Sequence, residues 1–188
     1  YVKDVLGRSE TTFALVMTGL GLGSSLAALA LGRVTGRYEE GVDDTARLHG
    51  LRHRWTAHAL LLGGTLLGLV LLPGYLEPPL IGFGVMWFLN GAGQALIAMP
   101  SSTLLAEHTF EDERGRAYAA HFALTHACWL LTYPAIGYAS ARWGPPATFT
   151  GAGVVCVLIT FCALVLGRGT SGAHTHARDS AVGGQTLV

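Results

Sequence analysis

The chain has 188 residues, of which 51% are hydrophobic and 13% are charged, and its formal net charge at pH 7 is zero. This balance offers no basic surface of the kind that binds nucleic acid. The low charge also argues against a soluble domain, whose helices would carry charge on their outer faces.

Five long apolar segments follow one another along the chain, and none of them contains Asp, Glu, Lys or Arg. About 20 helical residues cross a hydrocarbon core of roughly 30 Å, so each segment is predicted to be a transmembrane helix. The predicted spans are 11–31, 56–72, 80–106, 117–141 and 148–166. We therefore expect an all-α integral membrane protein. Many of the 26 glycines lie inside the spans, where they predict close helix packing.

The two ends of the chain carry separate expectations. The chain begins with Tyr1 rather than Met, and residues 1–4 are typical of the interior of a protein, so we interpret it as part of a longer one. Residues 169–188 are rich in Gly, Ser and Thr and predict a disordered tail. The three cysteines, Cys128, Cys156 and Cys162, fall inside predicted spans and predict free thiols.

Basic residues divide unequally between the two sides of the predicted membrane. Nine lie in 33–55, in 107–116 and after residue 166, and only Lys3, Arg8 and Arg142 lie on the other side. Cytoplasmic loops carry the excess of Lys and Arg, so the C-terminus is predicted to be cytoplasmic. We expect a multi-pass protein of the plasma membrane.

Polar side chains concentrate in the third and fourth predicted spans, whereas the second and fifth are almost purely aliphatic and are predicted to face lipid. At 100° per residue, each polar set makes a stripe, and His126 lies on a different face from His121. Polar groups are costly in hydrocarbon, so these stripes predict a solute cavity, with interhelical packing as the alternative. The candidate cavity-lining residues are Asn90, Gln94, Ser101, His121, Thr125, His126 and Thr132.

Several motifs resemble those of the major facilitator superfamily. The run Gly32-Arg33-Val-Thr-Gly36-Arg37 resembles a degenerate form of the family's cytoplasmic loop motif, with Gly32 where the family has Asp. The run Asn90-Gly91-Ala-Gly93-Gln94 with Pro100 resembles the tenth helix, and Arg114-Gly115-Arg116-Ala117 followed by Pro134-x-x-Gly137 resembles the eleventh.

The resemblance implies helices eight to twelve of a twelve-helix secondary transporter that works by alternating access. Its partners would be the lipid bilayer, a small-molecule substrate and the missing N-terminal half, and no cofactor is implied. Export coupled to proton antiport would follow by the same analogy. The residues that correspond to the family's conformational loop motif are Gly32, Arg33, Gly36, Arg37, Arg114 and Arg116.

The runs 104–109 and 118–129 also resemble the nickel-resistance branch of these exporters, which implies a nickel or cobalt substrate. Imidazole and thiolate suit divalent transition metals, and the candidate ligands are His121, His126 and Cys128. That branch often has a His-rich tail, whereas this tail holds only His174 and His176.

The sequence bears on two other functional classes, an enzyme and a channel or non-transport subunit. An enzyme is not expected, because no predicted span contains Asp or Glu and the two histidines of the fourth span face different ways. A channel or a non-transport membrane subunit stays an alternative, although polarity that is confined to two helices favours a carrier.

Overall fold

A computed structural model describes the backbone of residues 1–40 and 45–183 and the side chains of residues 1–36 and 54–166. The described backbone forms five α-helices and, after the second of them, a short 3-10 helix at Leu72–Leu76. Because this part of the chain contains no strand, the all-helical prediction is confirmed. The helices are α1 (Glu10–Glu40), α2 (Thr45–Leu71), α3 (Leu80–Glu107), α4 (Arg114–Trp143) and α5 (Pro145–Gly183).

Four helical segments are long and apolar enough to cross a membrane, and they contain the first, second, third and fifth predicted spans. They are Glu10–Gly36, Arg54–Leu76, Leu80–Glu107 and Pro145–Leu166. The fifth helix, α4, has 30 residues but is not among them. Its histidines, tyrosines and threonines lower its mean hydropathy, so a crossing by α4 stays a prediction.

The helices extend beyond the apolar segments. α1 continues to Glu40 and α2 begins at Thr45, so the backbone of Gly32–Arg37 is helical, and its correspondence to the family's conformational motif stays a prediction. Residues 33–40 include no proline, and charged side chains at the end of a membrane helix do not interrupt its hydrogen bonds. The described backbone of α5 likewise stays helical to Gly183, where the sequence predicts disorder from residue 169. No proline ends the helix there either.

Glycines set the spacing between α1 and α3. A Cβ atom on Gly23 of α1 would overlap the carbonyl oxygen of Phe88, and one on Gly91 of α3 would overlap that of Leu20. The two backbones therefore touch without an intervening side chain, which is how small residues bring membrane helices together. This confirms the predicted role of the glycines in packing.

The pair α2 and α5 packs in the same way. A Cβ atom on Gly153 would lie 2.8 Å from the carbonyl oxygen of Gly68, and one on Gly68 would lie 3.0 Å from that of Gly153. Since α2 also packs on α3, a layer of four helices forms in the order α1, α3, α2, α5.

An aromatic cluster closes one end of this layer. Phe83 and Val2 are buried, and the Tyr1 ring stacks on Phe83 with centroids 4.4 Å apart. The Tyr1 hydroxyl donates a hydrogen bond of 3.0 Å to the carbonyl oxygen of Pro78. The first residues are thereby attached to the start of α3.

In contrast, α4 stands largely apart from the layer. None of its side chains is buried. The Tyr118 hydroxyl donates a hydrogen bond of 3.2 Å to the carbonyl oxygen of Ser102 on α3. At the other end, Gly144 alone separates α4 from α5, and its φ of 81° is one that glycine adopts without strain.

Candidate functional site

The polar pair on α3 is joined by a hydrogen bond. Gln94 Nε2 donates to Asn90 Oδ1 across 2.9 Å, one helical turn away. Asn90 is half-buried and Gln94 is exposed. Within the described part of the chain this is the one side-chain hydrogen bond of either residue, so Asn90 Nδ2 still has donors to offer and Gln94 Oε1 still has lone pairs. In an apolar helix, this arrangement can bind the polar groups of a solute.

The hydroxyls on α3 are satisfied locally. Ser101 Oγ donates to the carbonyl oxygen of Ile97 at 2.7 Å, and Ser102 Oγ donates to that of Ala98 at 2.9 Å. Hydroxyls bonded to the preceding turn are tolerated in hydrocarbon without any ligand. Ser101 is therefore the weakest of the three candidates on this helix.

The threonines of α4 behave in the same way. Thr125 Oγ1 donates to the carbonyl oxygen of His121 at 3.0 Å or to that of Phe122 at 2.8 Å. Thr132 Oγ1 donates to the carbonyl oxygen of Cys128 at 2.9 Å. Their hydroxyl protons are used within the helix, and only their lone pairs remain for a solute.

His126 has the most defined surroundings of the candidates on α4. Its ring stacks on Phe122 with centroids 3.7 Å apart and lies 4.8 Å from the ring of Trp129. Its Nδ1 lies 2.8 Å from the carbonyl oxygen of Phe122. A carbonyl oxygen only accepts, so Nδ1 donates and neutral imidazole carries its lone pair on Nε2. No described residue hydrogen-bonds to Nε2, which leaves that atom available to a proton, a donor or a metal.

Four rings run along this face of α4 at positions i, i+4, i+7 and i+11, from Phe122 through His126 and Trp129 to Tyr133. The last pair has centroids 6.0 Å apart. The spacing is visible in the sequence, but polarity alone, by which His126 is predicted to line a cavity, does not reveal its aromatic neighbours. These four rings, here called the ring ladder, hold the imidazole in place on a helix that has no buried side chain.

The structure does not gather the proposed metal ligands. Among the described residues, no group of three or more His, Cys, Asp and Glu side chains could hold a metal ion. His121, His126 and Cys128 therefore form no metal centre with other residues of this part of the chain. The tail residues His174 and His176 lie outside the described side chains.

The structure describes the side chains of three of the four arginines assigned to the conformational motif, Arg33, Arg114 and Arg116. Arg33 is exposed near the end of α1, and the side chain of Arg37 lies outside the described residues. Arg116, near the start of α4, pairs with Glu113 at 2.9 Å, where both side chains are exposed to solvent. Such an exposed ion pair contributes little to stability.

The α3 pair and the α4 face are not in contact. No described hydrogen bond or ring contact joins Asn90 or Gln94 to His121, Thr125 or His126. A shared cavity between these two faces stays a prediction. On the other helices, Leu62, Leu69, Val155 and Leu158 are all exposed, as lipid-facing positions would be.

Comparison with known proteins gives one match. The family model described as Major Facilitator Superfamily matches residues 1–186, which is nearly the whole chain. Searches of the curated proteins and of the solved structures found no match.

Proposed function

Because this chain belongs to the major facilitator superfamily, a family of transporters, we propose that it forms part of a secondary exporter that works by alternating access. In this proposal α1 to α5 are helices eight to twelve of the transporter, and the N-terminal half completes the cavity. The substrate is a small molecule, the membrane is the plasma membrane, and the C-terminus is cytoplasmic.

The observation that carries the proposal is the Asn90–Gln94 pair. Two carboxamides with unused hydrogen-bonding groups lie inside an apolar helix that is long enough to span the membrane. Such groups are retained where they face protein or a water-filled cavity. A carrier that binds polar groups of its substrate at mid-membrane depth requires an arrangement of this kind.

The second face of the proposed cavity is the ring ladder on α4. His126 supplies an imidazole, a group that can accept and donate a proton, and the described spans contain no carboxylate in 11–36, 56–76, 80–106 or 145–166. Coupling to protons in this portion of the transporter would therefore depend on a histidine, either His126 or His121 on α4 or His58 near the start of the second span.

Export of a divalent metal such as nickel or cobalt is the second candidate. It is supported by the free Nε2 of His126, since neutral imidazole is a ligand for these metals. The described residues contain no three-ligand cluster, so other ligands would have to come from elsewhere in the transporter. We therefore place metal export below export of an organic solute.

The test uses the full-length protein in inverted membrane vesicles that carry a proton gradient. Addition of ethidium, nickel chloride or cobalt chloride should dissipate the gradient if the solute exchanges for protons. Saturable dissipation by ethidium alone supports the first candidate, and dissipation by the metals supports the second. A flux that never saturates would contradict a carrier and favour a channel.

A further inference from the structure

Exposed aromatic side chains lie at both ends of the helical segment Arg54–Leu76. Trp55, at its start, is 41% exposed, and Tyr75, at its end, is 69% exposed. Position 75 follows position 55 by 20 residues. A helix of that length rises about 30 Å, which is the thickness of the hydrocarbon core. When this segment crosses a membrane, the two rings therefore lie where the core meets the two headgroup layers.

A third exposed ring, that of Trp143, lies at the same end as Tyr75. The backbone N–H of Tyr75 donates to Thr150 Oγ1 at 2.9 Å, and this hydroxyl donates to the carbonyl oxygen of Leu72 at 3.0 Å. These bonds hold the 3-10 helix against the first turns of α5. Trp143 is 67% exposed and lies two residues before α5 begins at Pro145.

The heights of these two rings along the membrane normal agree with one headgroup layer. From Pro145 to Thr150 the helix rises about 8 Å. A bilayer has a core of about 30 Å and a total thickness of about 40–45 Å, so each headgroup layer is roughly 5–8 Å thick. Tyr75, which is bonded to Thr150, and Trp143, which precedes Pro145, therefore fit within one such layer.

Charged neighbours exclude a deeper position for the two tryptophans. Arg54 precedes Trp55, Arg142 precedes Trp143, and both arginine side chains are exposed. A guanidinium is costly in hydrocarbon, whereas near the membrane surface it can bind a lipid phosphate. The adjacent indole has an apolar body and one N–H donor, which suits the boundary between acyl chains and headgroups. Each Arg–Trp pair therefore matches the phospholipid headgroup layer.

We propose that Trp55 binds one phospholipid headgroup layer, that Tyr75 and Trp143 bind the other, and that these contacts hold the helix layer at a fixed depth in the bilayer. The proposal has a consequence for α4. Its 30 residues correspond to about 45 Å of helix, which is the thickness of a bilayer with both headgroup layers. With Trp143 in one layer, α4 is long enough to reach the other. The proposal does not require that the chain transports anything.

Fluorine NMR of the full-length protein measures the depth of each ring. The protein is labelled with 5-fluorotryptophan and placed in phosphatidylcholine nanodiscs, and Trp55→Phe and Trp143→Phe assign the two signals by their disappearance. Both residues are exposed, so these variants should keep the fold. A lipid that carries gadolinium on its headgroup should broaden both signals until they are lost. A lipid with a nitroxide at the end of its acyl chain should leave them visible. Tyr75→Trp should add a signal with the same behaviour.

Val155→Trp is the control for the opposite behaviour. Val155 is 55% exposed and lies 10 residues into α5, about 15 Å from its start, which is mid-core depth. Its signal should be lost with the chain-end nitroxide and retained with the headgroup label. Loss of the Trp55 or Trp143 signal with the chain-end nitroxide would place that ring in hydrocarbon. A signal that neither lipid label broadens would show that protein or water surrounds the ring. Either result, at either tryptophan, would overturn the proposal.

Discussion

Gln94 Nε2 donates a hydrogen bond to Asn90 Oδ1 across 2.9 Å within the apolar helix α3. The pair satisfies only part of the hydrogen-bonding capacity of two carboxamides. A purely structural pair and a substrate-binding pair therefore differ in what their removal should do.

Replacement of Gln94 by leucine tests this difference. If the pair binds substrate, Gln94→Leu should lower export by about tenfold or more, because a lost hydrogen bond to a polar solute leaves its partner groups unpaired. The thermal midpoint in detergent should stay nearly constant, since Gln94 is exposed. Ser102→Ala is the matched control, because that hydroxyl bonds only to its own helix at Ala98. A fall in the thermal midpoint with unchanged export would show that the pair contributes to packing and does not bind the substrate.

His126 and His121 form a second comparison within one helix. His126→Gln keeps a polar group but removes the titratable imidazole from the ring ladder, so export should fall strongly. His121→Gln should have the smaller effect, because no described side-chain contact holds His121 in place. Export is measured between pH 5.5 and 8 at matched expression. Loss of nickel or cobalt resistance alone would indicate metal export, and loss of all transport would indicate proton coupling. Full activity in both variants would contradict both roles.

The contact between α1 and α3 predicts a large effect of a single methyl group. Gly23→Ala should destabilise the protein by about 3 kcal/mol, because the new Cβ meets the backbone of Phe88, which cannot rotate away. Gly21→Ala is the control on the same helix, since nothing lies within 4 Å of its Cβ position. Thermal unfolding in detergent measures both variants. Equal midpoints for the two would show that the close contact does not exist in the folded protein.

The distribution of basic residues predicts the topology. In a variant without Cys128, Cys156 and Cys162, Leu76→Cys should react with a membrane-impermeant maleimide from outside the cell, and Phe110→Cys should react only after permeabilisation. Both positions suit labelling, because Leu76 is 80% exposed and Phe110 is 78% exposed. Gly74 suits it less well, since a Cβ atom there would lie 2.6 Å from Cβ of Phe149. The reverse pattern of labelling would overturn the orientation.

The attachment of Tyr1 predicts a dependence on alkaline pH. Burial, and to a lesser extent the nearby Glu77 carboxylate, raises the pKa of Tyr1 above its ordinary value of 10.0. A raised pKa means that the neutral phenol is the form favoured by folding. Its contribution to stability is complete below the ordinary value and is lost as the pH rises through the raised one.

The hydrogen bond to Pro78 is worth about 1 kcal/mol, so Tyr1→Phe should lower stability by that amount at pH 8. The difference from the wild type should shrink as the pH rises from 10 through the raised pKa of Tyr1, because the wild-type protein then loses the bond that Tyr1→Phe lacks at every pH. Tyr75→Phe is the control, because Tyr75 is exposed and its hydroxyl has no partner among the described residues. Thermal midpoints between pH 7 and pH 11 measure the effect, and a constant difference between wild type and Tyr1→Phe would refute it.

Hydrophobicity alone was enough to predict the number and order of the helices. α3 spans Leu80–Glu107, which agrees closely with the predicted span of 80–106. The agreement is close because Pro79 before the segment and the charged run after it limit the apolar segment on both sides. The end of α1 does not follow from hydrophobicity in this way. The predicted first span ends at residue 31, before the charge of Arg33, whereas α1 continues to Glu40, because charged residues limit an apolar segment without ending a helix.

The candidate site was less predictable than the fold. Helical spacing placed Asn90 and Gln94 on one face, and their hydrogen bond follows from that spacing of four residues. The cluster of Tyr1, Phe83 and Phe149 could not be predicted in this way, because it joins segments 82 and 66 residues apart and depends on how the first residues meet α3 and α5. Periodicity describes one helix at a time and carries no information on such contacts.

The absence of side chains between α1 and α3 has a mechanical consequence. With Gly23 against Phe88 and Gly91 against Leu20, neither helix can rotate or slide without a collision between main-chain atoms. The two helices are therefore expected to move as one rigid body. Any movement of α4 relative to this pair of helices would require the chain to bend at Gly144 and in residues 108–113. We therefore expect these two connections, rather than the helix interfaces, to bend.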